Sequence, residues 1–358
     1  MSSKVNKKLN IVNVATMYLG VVMGAGYASG RESWQFIGVY GPRALPGAAI
    51  AAVLFAVIAY MIAYLAIRLE SEDIGTIICV VPNERISAFI SNFMAAMLYM
   101  IIVSMTAAGG ALMFQQFGLP RPLGGAIIAL LVAITILGDF QRISSVFKYI
   151  VPPLFLCCII SCILVLLSDI QQSGPVSGYK GSELIPNLTV GVLMCVAFNM
   201  TGTIPIGASA ARNARSPRIG RVGSFLGGAV IGIMTFLLIV ALQRDMAFTA
   251  PLDLPMLGYA GRISPVLGIL YVTVLCIAIY SSATSVFYGF TSRIPEGPKK
   301  KYIIVAAIIA GYLAGLMGFK TIVAYIYPIQ AYFCLFVIFM LIVNFCKVLW
   351  QDITRKKG

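Results

Sequence analysis

Ten stretches of roughly twenty mostly apolar residues follow one another along the chain, near 9–40, 44–68, 86–117, 122–139, 143–168, 186–211, 220–243, 263–290, 302–318 and 321–349. A helix needs about 20 such residues to cross a bilayer. The pattern therefore predicts an all-α, multi-span membrane protein with ten transmembrane helices in a single domain, residues 1–358. Most stretches lack period-2 alternation, which argues against a β-barrel. The first is too long for a cleavable signal peptide and carries a Gly-rich interruption. Only 11% of the 358 residues are charged, against about 25% in soluble domains, so lipid must cover part of the surface.

The chain holds no histidine. Ser-His-Asp and Cys-His catalysis, imidazole metal sites and histidine proton relays are all excluded. With no paired buried carboxylates either, the expectation is a non-enzyme without a resident cofactor.

Charge placement gives an orientation. With a cytoplasmic N-terminus, nineteen of the 26 basic residues fall on inside segments, among them Lys4, Lys7, Lys8, Arg212, Arg215, Arg218, Arg221, Lys299, Lys300 and Lys301. This is the positive-inside pattern. An even number of spans returns the C-terminus to the same side, placing the protein in the plasma or inner membrane with both termini cytoplasmic. The net charge of +14 is thus a topology signal, and no nucleic-acid partner is expected. The eight cysteines lack CxxC spacing and read as small core hydrophobes.

Two spans depart from plain apolar helix, the first and the sixth. The first carries Gly20, Gly24, Gly26 and Gly30 around the sequence Met23-Gly-Ala-Gly-Tyr-Ala-Ser-Gly-Arg-Glu32. Each glycine weakens a helix by up to about 1 kcal/mol relative to alanine. The sixth reads Ala197-Phe-Asn-Met-Thr-Gly-Thr-Ile-Pro205, and Pro205 removes a backbone donor. Both spans are expected to break. Freed backbone groups inside a membrane must be met by protein, water or ligand, and interrupted helices at matching positions of two halves point to a transporter site. The alternative is that small residues only permit close helix packing. Five spans per half predict inverted repeats, about 9–168 and 186–349.

A broken helix presents amides to a carboxylate and carbonyls to a cation. A zwitterion such as an amino acid, or a related amine, suits this arrangement. The expected substrate-binding residues are Gly24, Ala25, Gly26, Tyr27, Asn199, Thr201, Gly202 and Thr203. On the eighth span, Ala278, Ser281 and Ser282 share nearly one side. With carbonyls of Val22 and Ala25 they would offer five oxygens to Na⁺. Back-bonding of the serines to their own helix stands equally as an alternative. The competing coupling ion is H⁺ through Glu32, which with Arg31 also reads as an outer gate. Lys148 is a weaker proton candidate. Trp34 and Trp350 read as interface anchors; Tyr280, Tyr325 and Tyr327 could close the pocket from the eighth and tenth spans, although most membrane tyrosines pack or sit at interfaces.

The run Gly24-Ala-Gly-Tyr-Ala-Ser-Gly-Arg-Glu-Ser-Trp-Gln-Phe36, followed by Tyr40-Gly41, resembles the YkvI-type membrane proteins, amino-acid permeases of the amino acid–polyamine–organocation superfamily. The resemblance implies the leucine-transporter (LeuT-like) fold, 5+5 inverted repeats with broken helices 1 and 6. It also implies a second sodium site at Ala278, Ser281 and Ser282, third-span substrate contacts at Tyr99 and Ser104, and a lid formed by 244–262. The expected function is Na⁺-coupled symport of an amino acid or similar small solute. Alternatives are a proton-coupled permease or exchanger using Glu32, or a non-transporting membrane sensor.

Overall fold

The computed structural model describes residues 9–80, 84–138, 151–174, 181–291 and 294–355. The start of the fifth expected span with Arg142 and Lys148, and the basic residues Lys4, Lys7, Lys8, Lys180, Arg293, Lys356 and Lys357, lie outside the described residues.

The regular structure of the described residues is helical, apart from a parallel bridge between Leu9 and Ala214. The helices are α1 (Ile11–Val22), α2 (Ala25–Ala28), α3 (Arg31–Phe36), α4 (Ala44–Arg68), α5 (Ile74–Ile78), α6 (Glu84–Phe117), α7 (Arg121–Leu137), α8 (Val151–Leu167), α9 (Leu188–Arg212), α10 (Pro217–Gln243), α11 (Met246–Thr249), α12 (Pro255–Ile263), α13 (Pro265–Thr291), α14 (Lys300–Gly315) and α15 (Phe319–Arg355). A 3₁₀ turn over Gly38–Arg43 leads into α4. Among the described residues six helices are long and apolar enough to cross a membrane unaided: Gly38–Arg68, Ala88–Phe117, Leu188–Arg212, Pro217–Gln243, Pro265–Thr291 and Phe319–Arg355. Ile11–Val22, Arg121–Leu137 and Pro152–Leu167 are the described parts of other apolar helices.

Side-chain caps set several helix starts. Asn10, Asn187 and Ser216 accept from the amides of Asn13, Val190 and Ile219, satisfying donors that a helix start leaves open. Pro217 occupies the first turn of α10, where it loses no helical bond.

Helix α10 is the central packing element. A Cβ on Gly228 would fall 2.4 Å from Phe55 O and one on Gly232 2.4 Å from Ala52 Cα, so α4 and α10 touch backbone to backbone. On another face, Gly223 and Gly227 meet Val14 and Tyr18 of α1. Small residues at such crossings replace the hydrophobic drive that lipid removes.

The two ends of the bundle are distinct. At one, Leu9 exchanges backbone bonds with Asn213 and Arg215, and Arg68 Nε holds Asp352 at 2.7 Å. The beginning and the end of the described chain therefore share this end. At the other, Arg31, Arg121, Arg262 and Lys320 gather around the segment that joins α10 to α13.

Candidate functional site

The first span bends twice. Helix α1 ends where Gly24 is extended (φ −83, ψ 176) and its N–H turns back onto Val22 O at 2.7 Å. Six residues later Gly30 takes the left-handed region at φ 77, which glycine enters without a Cβ penalty. A Cβ there would also sit 3.1 Å from Met256 Cγ and 3.2 Å from Leu242 Cδ1. The carbonyls freed at this second bend are already taken. Ala28 O accepts from Tyr271 Oη at 2.5 Å, and Ser29 O accepts from the Met256 amide at 2.9 Å.

The second bend returns α3 toward the unwound segment and carries Glu32 with it. Glu32 is 5% exposed. Its Oε1 accepts from Asn199 Nδ2 at 2.5 Å, while Oε2 lies 3.2 Å from where a Gly26 Cβ would stand. Tyr327 Oη is 3.4 Å from that same point and shares a hydrogen bond with Ser104 Oγ at 2.6 Å. The Tyr327 ring stacks on Phe198, centroids 4.8 Å apart. Helices α2, α3, α6, α9 and α15 thus converge on one buried cluster of carboxyl, amide and hydroxyl groups. Three residues beyond Glu32 and on its face, Gln35 is fully buried. Neither its amide nor Ser33 Oγ has a hydrogen-bond partner among the described residues.

The sixth span corrects the expectation drawn from its sequence. Helix α9 is helical from Leu188 through Arg212, with Pro205 inside it; it is not broken. One lost bond and a proline clash cost about 3 kcal/mol, and close packing on both sides outweighs that cost. Gly191 lies against Phe36 O, and Gly207 against the Tyr18 ring, where added Cβ atoms would come within 2.1 and 2.4 Å. The polar side chains bond along the helix: Asn199 Nδ2 to Cys195 O at 2.9 Å and Thr203 Oγ1 to Asn199 O at 2.8 Å. Thr201 is buried, and nothing stands within 4 Å of a Cβ built on Gly202.

Two tyrosines face elsewhere. Tyr27 Oη donates to Ile231 O at 2.7 Å and meets Thr235 Oγ1 at 2.8 Å, so its ring props α10 and leaves only its main chain at the bend. Tyr99 Oη donates to Ala307 O of α14 at 3.1 Å. Of the two sequence readings of Tyr327, packing or closing the pocket, its position is that of the second: its hydroxyl meets Ser104 and its ring Phe198 at the cluster. Trp34 is fully buried and is no interface anchor, whereas Trp350 is 71% exposed.

Across the first bend stands α13. Ser282 Oγ lies 3.9 Å from a Cβ position on Gly24, bringing the eighth-span hydroxyl to the break. Ser281 Oγ back-bonds to Ala278 O at 3.1 Å. The Ala25 carbonyl accepts from Ser29 N–H at 2.9 Å and keeps a second lone pair. Among the described residues no group of three or more Cys, Asp or Glu side chains could hold a metal. The oxygens at the bend are neutral carbonyl and hydroxyl groups, which are hard donors.

The end of the bundle opposite Leu9 and Arg355 is fastened over the cluster. Arg31, fully buried, donates through Nη1 to Ala250 O at 3.0 Å and Leu252 O at 3.2 Å, and its guanidinium lies over Trp34. Gln115 bonds Leu254 in both directions, at 2.9 and 3.0 Å. Asp253 takes Arg121 Nη2 at 2.6 Å and the Lys320 amide at 3.2 Å. Asp245 is bound by Ser173 Oγ at 2.5 Å and Arg262 Nη1 at 2.8 Å. Burial pushes the Asp245 carboxyl up, but the hydrogen bonds from Ser173, Arg262 and Phe248 N–H outweigh it and hold the group below its ordinary range.

Comparison with known proteins places these features in context. A model of the sodium:alanine symporter family matches residues 64–178. A computed-structure match covers 100% of this chain and 76% of a manganese transporter from Eremococcus coleocola, solved with an aromatic bis-isothiourea substituted compound, at TM-score 0.45 and 14% identity. The Bacillus subtilis (strain 168) protein YyaD is 21% identical over 332 residues, 91% of this chain and 94% of that one. An uncharacterized membrane protein of the same organism, YkvI, is 22% identical over 329 residues, 89% and 91% of the two chains. The chain is thus similar to YyaD and to the membrane protein YkvI along about nine-tenths of its length, and the resemblance carried by the first-span motif extends well beyond that motif.

Proposed function

We propose that the protein is a secondary active transporter that carries an amino acid or similar small zwitterion or amine by alternating access, with Na⁺ as co-substrate. The observation that carries this reading is the unwound segment at Met23–Gly24, set against the buried cluster of Glu32, Asn199, Ser104 and Tyr327. A pore lined by repeated polar rings would serve a channel; a closed polar cluster beside a bend serves a carrier. The sodium:alanine symporter match over 64–178 supports a transport role.

In this reading the ten spans form 5+5 inverted repeats, about 9–168 and 186–349, in the plasma or inner membrane with both termini cytoplasmic. Main-chain amides of Ala25, Gly26 and Tyr27 receive the substrate carboxylate, since the first N–H groups of a helix have no partner inside it. Glu32, held by Asn199, receives the ammonium. Thr201 and Gly202 continue the site inward. Na⁺ sits between Val22 and Ala25 carbonyls and the Ala278, Ser281 and Ser282 oxygens, holding α1 against α13. Each ligand then raises affinity for the other by the same factor. Uptake into proteoliposomes with and without a sodium gradient, at constant pH and potential, tests this. Equal uptake would end sodium coupling and spare transport.

Burial of Glu32 favours one second reading, proton-coupled exchange. Glu32→Gln would then abolish pH-driven uptake while substrate binding persists.

A further inference from the structure

Two clefts follow one another along α4 and α10 on the outer face of the bundle, and we infer that together they form a groove that binds an anionic phospholipid. The first, of about 610 Å³, opens at the end of the bundle that holds Leu9 and Arg355. It lies between α4, α10 and α15 and is lined by Arg68, Glu70, Arg221 and Arg355 over a floor of Ile67 and Leu349. The second, of about 380 Å³, is wholly apolar and is lined by Val57, Tyr60, Val222, Phe225 and Leu226.

The register joins them. Val57, Tyr60, Tyr64 and Ile67 recur on α4 at spacings of three and four, one stripe of a helix. Pro217, Arg221 and Phe225 recur every fourth residue on α10. From Arg68 back to Val57 the stripe runs about 16 Å at 1.5 Å per residue, and half the hydrocarbon core of a bilayer is about 15 Å. The groove therefore begins at headgroup level and ends near the midplane, the reach of one acyl chain in one leaflet. Val57, Val222, Phe225 and Leu226 are each about two-fifths exposed, so no element among the described residues covers them.

The charge balance names the headgroup. Asp352 is occupied by Arg68 Nε at 2.7 Å and Tyr64 Oη at 2.7 Å. Across the cleft three arginines face two carboxylates, Glu70 and Asp352, which leaves one positive charge for one phosphodiester. Arg221 and Arg355 approach from different helices, and Arg is suited to bidentate contact with phosphate. A zwitterionic lipid has the same phosphate but adds a cation that the arginines repel.

The test is retention of lipid by the full-length protein in mild detergent, read by native mass spectrometry and by melting temperature. Phosphatidylglycerol is expected to stay bound and raise the melting temperature. Phosphatidylcholine, or inorganic phosphate alone, is expected to do neither. Arg221→Gln and Arg355→Gln should each weaken phosphatidylglycerol binding about fivefold, the ratio equivalent to ~1 kcal/mol per basic group at a membrane surface. Leu226→Trp should fill the tail groove and reduce retention, while Arg43→Gln, elsewhere on the surface, should leave it unchanged. Equal retention of phosphatidylcholine would overturn the inference. So would reproduction of the shift by phosphate, or equal losses in Arg43→Gln and Arg221→Gln. None of these readouts depends on transport, so the two readings fail separately.

Discussion

Asn199 donates its side-chain amide to Glu32 across 2.5 Å, joining the unbroken α9 to the doubly bent first span. The bond is the shortest polar link between the two expected repeats at the cluster, and it fixes the carboxyl group beside Gly26. Removing the donor with Asn199→Ala leaves a buried carboxyl short of a partner, a loss of about 1–3 kcal/mol. A lowered melting temperature in detergent measures it. Glu32→Gln keeps an acceptor for Asn199, so it should fold normally yet bind substrate at least about tenfold more weakly, the factor given by ~1.4 kcal/mol. Unchanged affinity in a folded Glu32→Gln protein would remove Glu32 from the site.

Neighbouring glycines separate sterics from flexibility. A methyl group at Gly26 would stand 3.2 Å from Glu32 Oε2 and 3.4 Å from Tyr327 Oη, whereas one at Gly24 would meet only Ser282 Oγ at 3.9 Å. Gly26→Ala should therefore abolish uptake with a melting temperature close to wild type, and Gly24→Ala should retain most of it. The reverse order in proteoliposome uptake would place the substrate elsewhere.

The α13 hydroxyls divide in a similar way. Ser282 reaches the bend, while Thr284 Oγ1 is spent on Tyr280 O at 2.7 Å. Ser282→Ala should raise the sodium concentration for half-maximal uptake about tenfold, as loss of ~1.4 kcal/mol of ion binding requires. Thr284→Ala should not. Identical sodium curves for all three proteins would contradict a site at the bend.

Asp245 predicts a pH dependence of stability. Its carboxyl is held below the ordinary range in the folded protein, so its stabilisation is complete above the unfolded carboxylate value of about 3.9. It is lost as pH falls through the lower folded value. Arg262→Gln, which removes the 2.8 Å contact, should melt below wild type at pH 7, and the gap should narrow toward pH 3. A constant gap would assign the effect of Arg262 to packing, including its stacking over Phe248.

Much of the first span was legible because glycine acts locally: clustered glycines reveal where a helix gives way whatever surrounds them. The sixth span was misread for the complementary reason. The cost of Pro205 is also local, but the packing of Gly191 and Gly207 that outweighs it comes from α3 and α1, which adjacent sequence does not reveal. Tyr327 carried no signal separating it from other membrane tyrosines; only its contacts with Ser104 and Phe198 do so. Glu32 stands out in the sequence as a carboxylate within a span, but its approach to Gly26 depends on the left-handed turn at Gly30. A straight helix would have carried it two turns away.

Only four residues, Ala25–Ala28, form the helical link between the two bends of the first span. A lever that short cannot flex internally, so a rotation imposed at one end arrives at the other almost undiminished. Ala28 and Ser29 are moored to Tyr271 and Met256, while the opposite end abuts Ser282. Four helical residues rise only about 6 Å, so loosening the mooring at Ala28 and Ser29 would displace the backbone that faces Ser282, giving this small strut the role of a rocker.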